Sequence, residues 1–402
     1  MKEQKKKIHF AKLDTFSNSW ADYKERRQGD YVKSGDDNQF PNYLINLYNK
    51  SSIHAACINA ISEAIIGGGL QANEDIYLES ANKKGETWND IFAKISVDFY
   101  LYGAFSIELI WSLDRSRIAE AYHIDYSMVR SGEKDHRGNV NDFYISEEWK
   151  SYTKVEDDTV THLPIFNPAL KHDQPSQLYV SKNYRPGQRF YPLPVYNGAL
   201  KVIELDVQID NFHVNNIKNG LAPSIAITTF TNGSDDDVQA VESMLKANYG
   251  GSDNAGSMIY MDVDSPENAP KIEPIPSNGT DTYYTDINSM STQKILTAHR
   301  ITSPTILGIA TAGALGQRNE TIDAYLLFQN MVIAPYQQDI LGCLEYILSF
   351  NYPSVVLGVE AKKLYDDGTE EEEIVTSVDT TDQENADMQE EETLKSEENI
   401  VS

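Results

Sequence analysis

The chain has 402 residues, a formal net charge of −27, and 40% hydrophobic and 10% aromatic residues. This length and composition are those of a folded protein with room for more than one structural unit. No run of about 18 apolar residues occurs, and the basic N-terminus lacks the apolar stretch of a secretory signal, so we expect no membrane span and no secretion. A protein that grips nucleic acid tightly should show a basic footprint, and this chain is acidic instead.

The N-terminal half predicts a mixed α+β domain. Residues 1–50 are polar with a turn-prone run at 34–42, and we expect an irregular N-terminal arm there. Apolar residues then recur at helical spacing from Ser51 to the triple glycine at 67–69, which should stop the helix. A second helix is expected from about Thr87, and it should break near Gly103. Alternating patterns predict strands after it, at 105–111, 118–124 and 140–146.

A helix that starts near Gly198 carries two apolar stripes about 100° apart around its axis. One stripe is enough for a helix that packs on a single core, and two stripes indicate neighbours on two sides. The second neighbour can be another part of this chain or another subunit, and the periodicity leaves both open. The second stripe consists of Val202, Leu205, Ile209 and Phe212.

A compact αβ module follows that helix. Strand patterns at 225–229 and 258–263 flank a short helix and the acidic turn Asp235-Asp236-Asp237. A helix resumes at about 285–301, and a Gly- and Ala-rich stretch comes after it. A long helix should run from about Asn319 to Phe350, with a kink at Pro335. The chain then becomes strongly acidic, which predicts a disordered tail.

The sequence shows few signs of catalysis. The eight histidines are scattered, and none pairs with another His, Cys or Asp at metal-ligand spacing. The chain contains no GxxxxGK[ST] phosphate loop and no GxSxG elbow. Cys57 and Cys343 lie far apart in apolar surroundings, which indicates core residues in a reducing compartment. We therefore expect no enzyme, no cofactor and no metal.

Several segments, in order, resemble the portal family of tailed bacteriophages, in the compact form found with HK97-type capsids. They cover most of residues 46–350, and the collinear set is more specific than any one of them. The segments are NLYNKSSIHAACINAISEAIIGGGL at 46–70, LYGAFSIELIW at 101–111, YPLPVYNGALKVIELD at 191–206, FHVNNIKNGLAPSIAITTFTNG at 212–233 and AHRITSPTILGIATAGALGQRNETIDAYLLFQNMVIAPYQQDI at 298–340.

The resemblance implies an α+β portal-type subunit that assembles into a ring, usually of twelve, at one capsid vertex. The acidic C-terminal region departs from longer portals, so a large crown is not expected. The implied units are an N-terminal arm at 1–50, a wing domain at 51–198, a stem helix at 199–220, a clip at 221–283, a second stem helix at 284–302, a tunnel loop at 303–318, a long helix toward the crown at 319–350 and an acidic tail at 351–402.

The resemblance also implies a function and partners. DNA would be driven through the ring by a separate terminase and later ejected through the same channel, with a neck or adaptor protein and the capsid and scaffolding proteins as further partners. The double-stranded DNA would be touched transiently at Gln317, Arg318 and Asn319, which could equally be an N-terminal helix cap. Asp235, Asp236 and Asp237 would lie on the terminase-docking surface. The second stripe of the helix at 199–220 would then face an adjoining subunit.

Two other function classes stay open at this point. The first is a phage connector or other structural ring without a packaging role, which a flat ring without a channel would favour. The second is an enzyme of unknown type, which a deep pocket with converging carboxylates or histidines would favour. A clip-like insertion between two helices favours a portal over the first of these classes.

Overall fold

The computed structural model describes residues 25–150, 159–218, 225–229, 258–262, 280–301, 304 and 318–362. Within these ranges, only the backbone is described at 28, 212, 215–218, 225–229, 258–262, 280–285 and 318–321. The chain divides into two units, residues 1–361 and residues 362–402. Lys362 is the described residue of the second unit, so the structure that follows is that of the first.

The helices confirm the order that the sequence predicts and add one near the N-terminus. A π-helical turn, Gln329–Ile333, joins the last two of them into one long element. The α-helices in the described residues are α1 Phe40–Lys50, α2 Ser52–Ile66, α3 Trp88–Tyr102, α4 Leu200–Lys218, α5 Thr280–Ala298, α6 Arg318–Phe328 and α7 Ala334–Leu348.

The strands form small sheets, which are antiparallel except for one pair. Strand β4 lies at the centre of the order β5-β4-β9, β7 at the centre of β6-β7-β8, and β1 pairs with β2, β3 with β12 and β10 with β11. The strands are β1 Arg26–Gln28, β2 Tyr31–Lys33, β3 Leu70–Ala72, β4 Ala104–Trp111, β5 Ile118–Ile124, β6 Val129–Ser131, β7 Asp142–Ile145, β8 Thr161–Pro164, β9 Ser176–Lys182, β10 Ile225–Thr229, β11 Met258–Asp262 and β12 Leu357–Val359.

Local sequence signals explain where α2 and α3 begin and end. The Ser51 hydroxyl caps α2 by accepting from the His54 N–H, and Thr87 and Asp90 form a capping box at the start of α3. Gly103 ends α3 in the left-handed conformation, with φ of 80°, which glycine adopts without strain. The chain then enters β4, whose side chains are almost all buried because α3 covers one face of the sheet.

Beside a small cluster of Tyr31, Tyr144 and Trp149, a large apolar core runs through the described part of the first unit. It includes α2, α3 and β4, and it continues into α4 through Ile203, into α5 through Ile295 and into α7 through Leu344. The predicted boundary at 198/199 therefore does not separate two cores. Among the described residues, no helix has the length and apolar character needed to cross a bilayer.

The prediction of an irregular arm is wrong for residues 26–50. These residues form β1, β2 and α1, and Phe40, Leu44 and Leu47 of α1 are buried in the core. The turn residues at 34–42 do make a turn, but Pro41 lies in the first turn of α1, where a missing N–H costs nothing. The polar composition concealed a helix with three buried positions on one face.

The prediction of a disordered tail from residue 351 is wrong for its first ten residues. Strand β12 pairs with β3, with Val359 opposite Leu70, and Leu357 is buried. The triple glycine permits this pairing, because a Cβ on Gly67 would lie 2.6 Å from the carbonyl oxygen of Glu360. The Gly68 N–H donates a hydrogen bond to that same oxygen at 2.7 Å. The rest of the predicted tail, from 363, lies outside the described residues.

Candidate functional site

Helices α4 and α5 form a pair that projects from the core, and the chain enters and leaves the pair at one end. Tyr196, just before α4, stacks on His299, just after α5, with ring centroids 4.9 Å apart. The two helices contact each other, and they run antiparallel because the start of α4 lies beside the end of α5. Each has 19 residues, which corresponds to about 28 Å of helix.

The segment that joins the far ends of α4 and α5 contains β10 and β11. These two strands pair in parallel, with Ile225 opposite Met258 and Thr229 opposite Asp262. Parallel neighbours need a crossover connection, as in a βαβ unit. The two strands that the sequence predicts in this insertion are therefore present, and its predicted short helix lies outside the described residues.

A buried polar cluster closes the near end of the helix pair. His54 of α2 lies 2.9 Å from His299, measured from Nδ1 to Nε2, and the Tyr100 hydroxyl lies 2.8 Å from the other ring nitrogen of His299. All three side chains are at most 2% exposed. The Tyr196 hydroxyl donates to the carbonyl of Leu101 and fixes the ring that covers both imidazoles. The cluster thus joins α2 and α3 to the helix pair.

Burial keeps the imidazoles of this cluster neutral. Desolvation lowers the pKa of His54 to about 4, and it lowers the pKa of His299, with His54 as a second cause. His54 Nε2 has no hydrogen-bond partner within the described structure, although its ring lies edge-on to Tyr196. A 2.9 Å contact between the two rings leaves no space for a metal ion, and no group of three metal-binding side chains occurs in the described part of the chain.

The predicted contact residues for DNA and for terminase fall mostly outside the described side chains. Gln317 and the turn Asp235-Asp236-Asp237 lie outside the described residues. Arg318 and Asn319 form the first turn of α6, and only their backbone is described. Their roles stay predictions, and the helix start that the capping alternative requires is present.

The predicted subunit stripe on α4 divides into residues with different surroundings. Leu205 is 39% exposed, whereas Ile209 is only 6% exposed within the single chain. Val202 is half-buried against the core, and the side chain of Phe212 is outside the described part. Part of the second stripe therefore already packs within the chain, and Leu205 is the member that is free to meet another subunit.

A polar cavity of about 350 Å³ lies beside α3 and β5 and is the candidate for catalysis. His123 on its wall bonds through Nε2 to the Asp98 carboxylate at 2.9 Å, and burial raises the pKa of Asp98. The Asp98 carboxylate also accepts the Tyr126 N–H at 3.0 Å, so it fixes the end of β5. The cavity is lined by Lys84, Glu86, Lys94, Glu108, Tyr122, His123 and Ile124.

Charged side chains around this cavity pair with neighbouring groups. Lys94 pairs with Glu86, and the Ser176 hydroxyl donates to Glu108 at 2.6 Å. The lining contains no serine, threonine or cysteine that His123 could activate as a nucleophile. Glu86 and Glu108 on the lining are thus engaged with Lys94 and Ser176.

Comparison with known proteins gives a fold. No family model matches the chain, and no curated protein matches it. A chain from the virion of a native gene transfer agent particle aligns with 80% of this chain and 83% of its own length, at 13% identity and a TM-score of 0.52. A chain from the neck of an empty gene transfer agent particle, computed with C6 symmetry, aligns with 80% and 84% of the two chains, at 13% identity and a TM-score of 0.51.

An HK97-family phage portal protein from Corynebacterium diphtheriae is also among the matched structures. It aligns with 78% of this chain and 95% of its own, at 12% identity and a TM-score of 0.42. The two alignments with TM-scores above 0.5 show a shared fold: the chain has a mixed α+β architecture like that of the gene transfer agent virion and neck chains.

Proposed function

We propose that this chain is the portal subunit of a tailed phage or related particle. The observation that carries the proposal is the antiparallel pair α4 and α5, which holds a small αβ unit between its far ends and is anchored in the core at its near end. The fold match spans four-fifths of the chain and includes a symmetric neck, which supports assembly into a ring. A portal gives each of these elements a role.

In this proposal the subunits form a closed ring, of twelve by the family resemblance, at one vertex of the capsid. Helices α4 and α5 line or support the channel, and the unit that contains β10 and β11 docks the terminase and later a neck protein. The segment 303–318 projects toward the DNA. The protein has no catalytic role, because the terminase supplies the energy for movement.

The net charge suits a channel through which DNA slides. At −27 per subunit, a ring repels phosphates on average and offers no basic groove in which the duplex would stick. A few phosphate contacts from residues such as Arg318 would then guide the duplex without holding it. Capsid, scaffolding, terminase and neck proteins are the partners that this role requires.

Electron microscopy and native mass spectrometry of the purified protein test the proposal. We expect closed rings with an open central channel and a mass that is an integral multiple of the subunit, most simply twelve. A flat ring without a channel would favour a connector without a packaging role. A protein that stays monomeric at assembly concentrations would contradict both the portal hypothesis and the connector hypothesis.

A packaging assay separates the portal from other ring proteins. Charge reversal at Asp235, Asp236 and Asp237 should leave rings intact and reduce DNA packaging, because the turn is expected on the docking surface. The control is charge reversal at Glu79, an exposed acidic residue of the wing. Normal packaging by the triple variant would remove this turn from the docking surface.

A further inference from the structure

The end of α5 has an unusual backbone. The Ile301 N–H bonds to the carbonyl of Leu296 and the Arg300 N–H to that of Thr297, both at 3.0 Å, which is a Schellman motif. This motif places its C′ residue in the left-handed region, where glycine is usual. Here the position is occupied by Arg300, with φ of 58°. A side chain kept at a strained position indicates that the side chain has a role.

The guanidinium of Arg300 contacts the long helix at its irregular turn. Its Nη2 donates to the carbonyl oxygen of Met331 at 2.9 Å. Met331 lies within the π-helical turn, where the Ala334 N–H bonds to the carbonyl of Gln329, five residues back. Residues 300 and 331 are far apart in sequence, so this one bond ties the end of α5 to the middle of the long helix.

Pro335 explains why that carbonyl needs a donor from elsewhere. In a regular α-helix the Met331 carbonyl would accept the N–H of residue 335, and proline has none. A carbonyl left without its helical donor is commonly satisfied by a side chain or by a local π-helical adjustment. The structure shows both, at the same turn.

We propose that Arg300 is a positioning residue, which holds the long helix in its π-helical bend by donating the hydrogen bond that Pro335 cannot. The bond fixes the chain just before residue 302 against the helix that begins at residue 318. Arg300 therefore sets how the end of α5 and the helix that begins at residue 318 lie relative to each other, and these two elements flank the intervening segment. The consequence for DNA rests on the proposed function, whereas the hydrogen bond and its role in the bend do not.

Hydrogen–deuterium exchange of the purified full chain tests the role directly. Arg300→Gly removes the guanidinium and supplies the residue that the left-handed backbone favours, so any loss comes from the side chain. We expect protection of the amides at 329–340 to fall about tenfold or more, which is the scale of a lost hydrogen bond to a charged donor. Arg300→Lys, whose ammonium reaches a similar distance, should recover part of that protection.

A double-mutant cycle with Pro335→Ala distinguishes this role from general packing. Alanine at 335 restores the N–H, so Met331 no longer depends on Arg300, and Arg300→Gly should then change protection less than about threefold. An equal loss in both backgrounds would overturn the proposal, as would full protection in Arg300→Gly alone. The cycle isolates the pair because each change acts on the same carbonyl oxygen.

Arg115 provides a matched control. It also has a left-handed backbone, with φ of 59°, and its guanidinium also donates to a backbone carbonyl, that of Ser112, at 2.8 Å. Arg115→Gly should leave exchange at 329–340 unchanged, and a change there would overturn the local explanation. These measurements need no DNA and no ring. If the chain formed no channel, the portal proposal would fail, and the exchange data would still test the role of Arg300.

Discussion

Arg130 is fully buried, and backbone and amide oxygens surround its guanidinium. It donates to the Asn38 side chain at 2.6 Å, to the Asn38 carbonyl at 2.8 Å and to the Ser127 carbonyl at 2.8 Å. Its guanidinium also lies 5.0 Å from the Trp149 ring. Because Asn38 precedes α1 and Arg130 belongs to β6, this arginine attaches the N-terminal segment to β6. The attachment explains why residues 26–50 are ordered despite their polar composition.

Replacing Asn38 should loosen that attachment. Asn38 has φ of 65°, so Asn38→Gly keeps the backbone conformation and removes only the side-chain bonds. A buried charged donor left without an acceptor costs about 2–3 kcal/mol of unfolding free energy, measurable by urea denaturation. Asn38→Asp keeps the oxygen and is the control. Equal stability of the glycine variant and the wild type would contradict this role.

The buried histidine pair predicts a pH dependence of stability. His54 has a folded-state pKa of about 4, below its ordinary value of 6.5, so the unfolded chain binds more protons between these values. Its contribution is fully present above pH 6.5 and is lost as the pH falls toward 4, at a cost of about 3 kcal/mol. His54→Phe should make the urea midpoint less dependent on pH in this window. An unchanged slope would show that His54 does not titrate on unfolding.

At the scale of elements, the triple glycine does more than end α2. Gly67 ends the helix with φ of 58°, and its missing Cβ makes room for the backbone of Glu360. The same residues that stop one helix therefore admit the last strand of the first unit. The sequence predicts the end of the helix at these glycines, but it does not predict that β12, nearly 300 residues later, approaches them.

Gly67→Ala should detach β12 from β3. The new Cβ would lie 2.6 Å from the Glu360 carbonyl oxygen, and the backbone must move because neither atom belongs to a flexible side chain. We expect faster hydrogen exchange at 70–72 and easier proteolysis near residue 360. Gly85→Ala is the control, since Gly85 also has a positive φ but no atom within 4 Å of the added Cβ. If both variants behave alike, strain alone accounts for the effect.

At the scale of the whole molecule, helix α4 carries both residues that are buried in the chain's own core and an exposed apolar residue. Ile203 of α4 is fully buried in the core of its own chain, whereas Leu205, two residues on, is 39% exposed. Ile209 is buried within the chain, so a charge there would destabilise the subunit itself. Leu205 is consequently the better probe of contacts between subunits.

Leu205→Asp should weaken ring assembly and leave the subunit folded. A buried charge at a subunit interface costs several kcal/mol per contact, and a ring multiplies that cost. Native mass spectrometry should show fewer rings, with an unchanged circular dichroism spectrum. Asn211→Asp, at an exposed position about 120° around the same helix from Leu205, is the control. Wild-type assembly by Leu205→Asp would place the interface elsewhere.

The free ring should bind duplex DNA weakly, even at low salt. Tight binding needs many phosphate contacts and shows a steep salt dependence, and a net charge of −27 per subunit opposes both. Fluorescence anisotropy with a labelled duplex at about 50 and about 200 mM salt measures the affinity and its salt dependence. Strong, salt-dependent binding would contradict a sliding channel and indicate a DNA-binding protein.

Much of the fold could be predicted from the sequence because the signals are local. Periodicity and caps define α2, α3 and β4, and the two strand patterns at 225–229 and 258–263 correspond to β10 and β11. Pro335 marks the irregular turn of the long helix, although the turn is π-helical rather than a simple kink. These features depend on residues that are close together in the sequence, so the sequence pattern predicts them.

The contacts that join distant segments were decided by tertiary structure alone. His54 and His299 are 245 residues apart, and neither carries a local signal that it meets the other. The same holds for Arg130 with Asn38, for Arg300 with Met331 and for Gly67 with Glu360. Each of these contacts forms because packing brings together groups that are far apart in sequence, and the buried polar groups among them, such as those of His54 and Arg130, find partners in this way. The sequence by itself determined the helices, the strands and the acidic charge, and the fold determined which of them meet, because a long-range contact depends on the whole chain being packed.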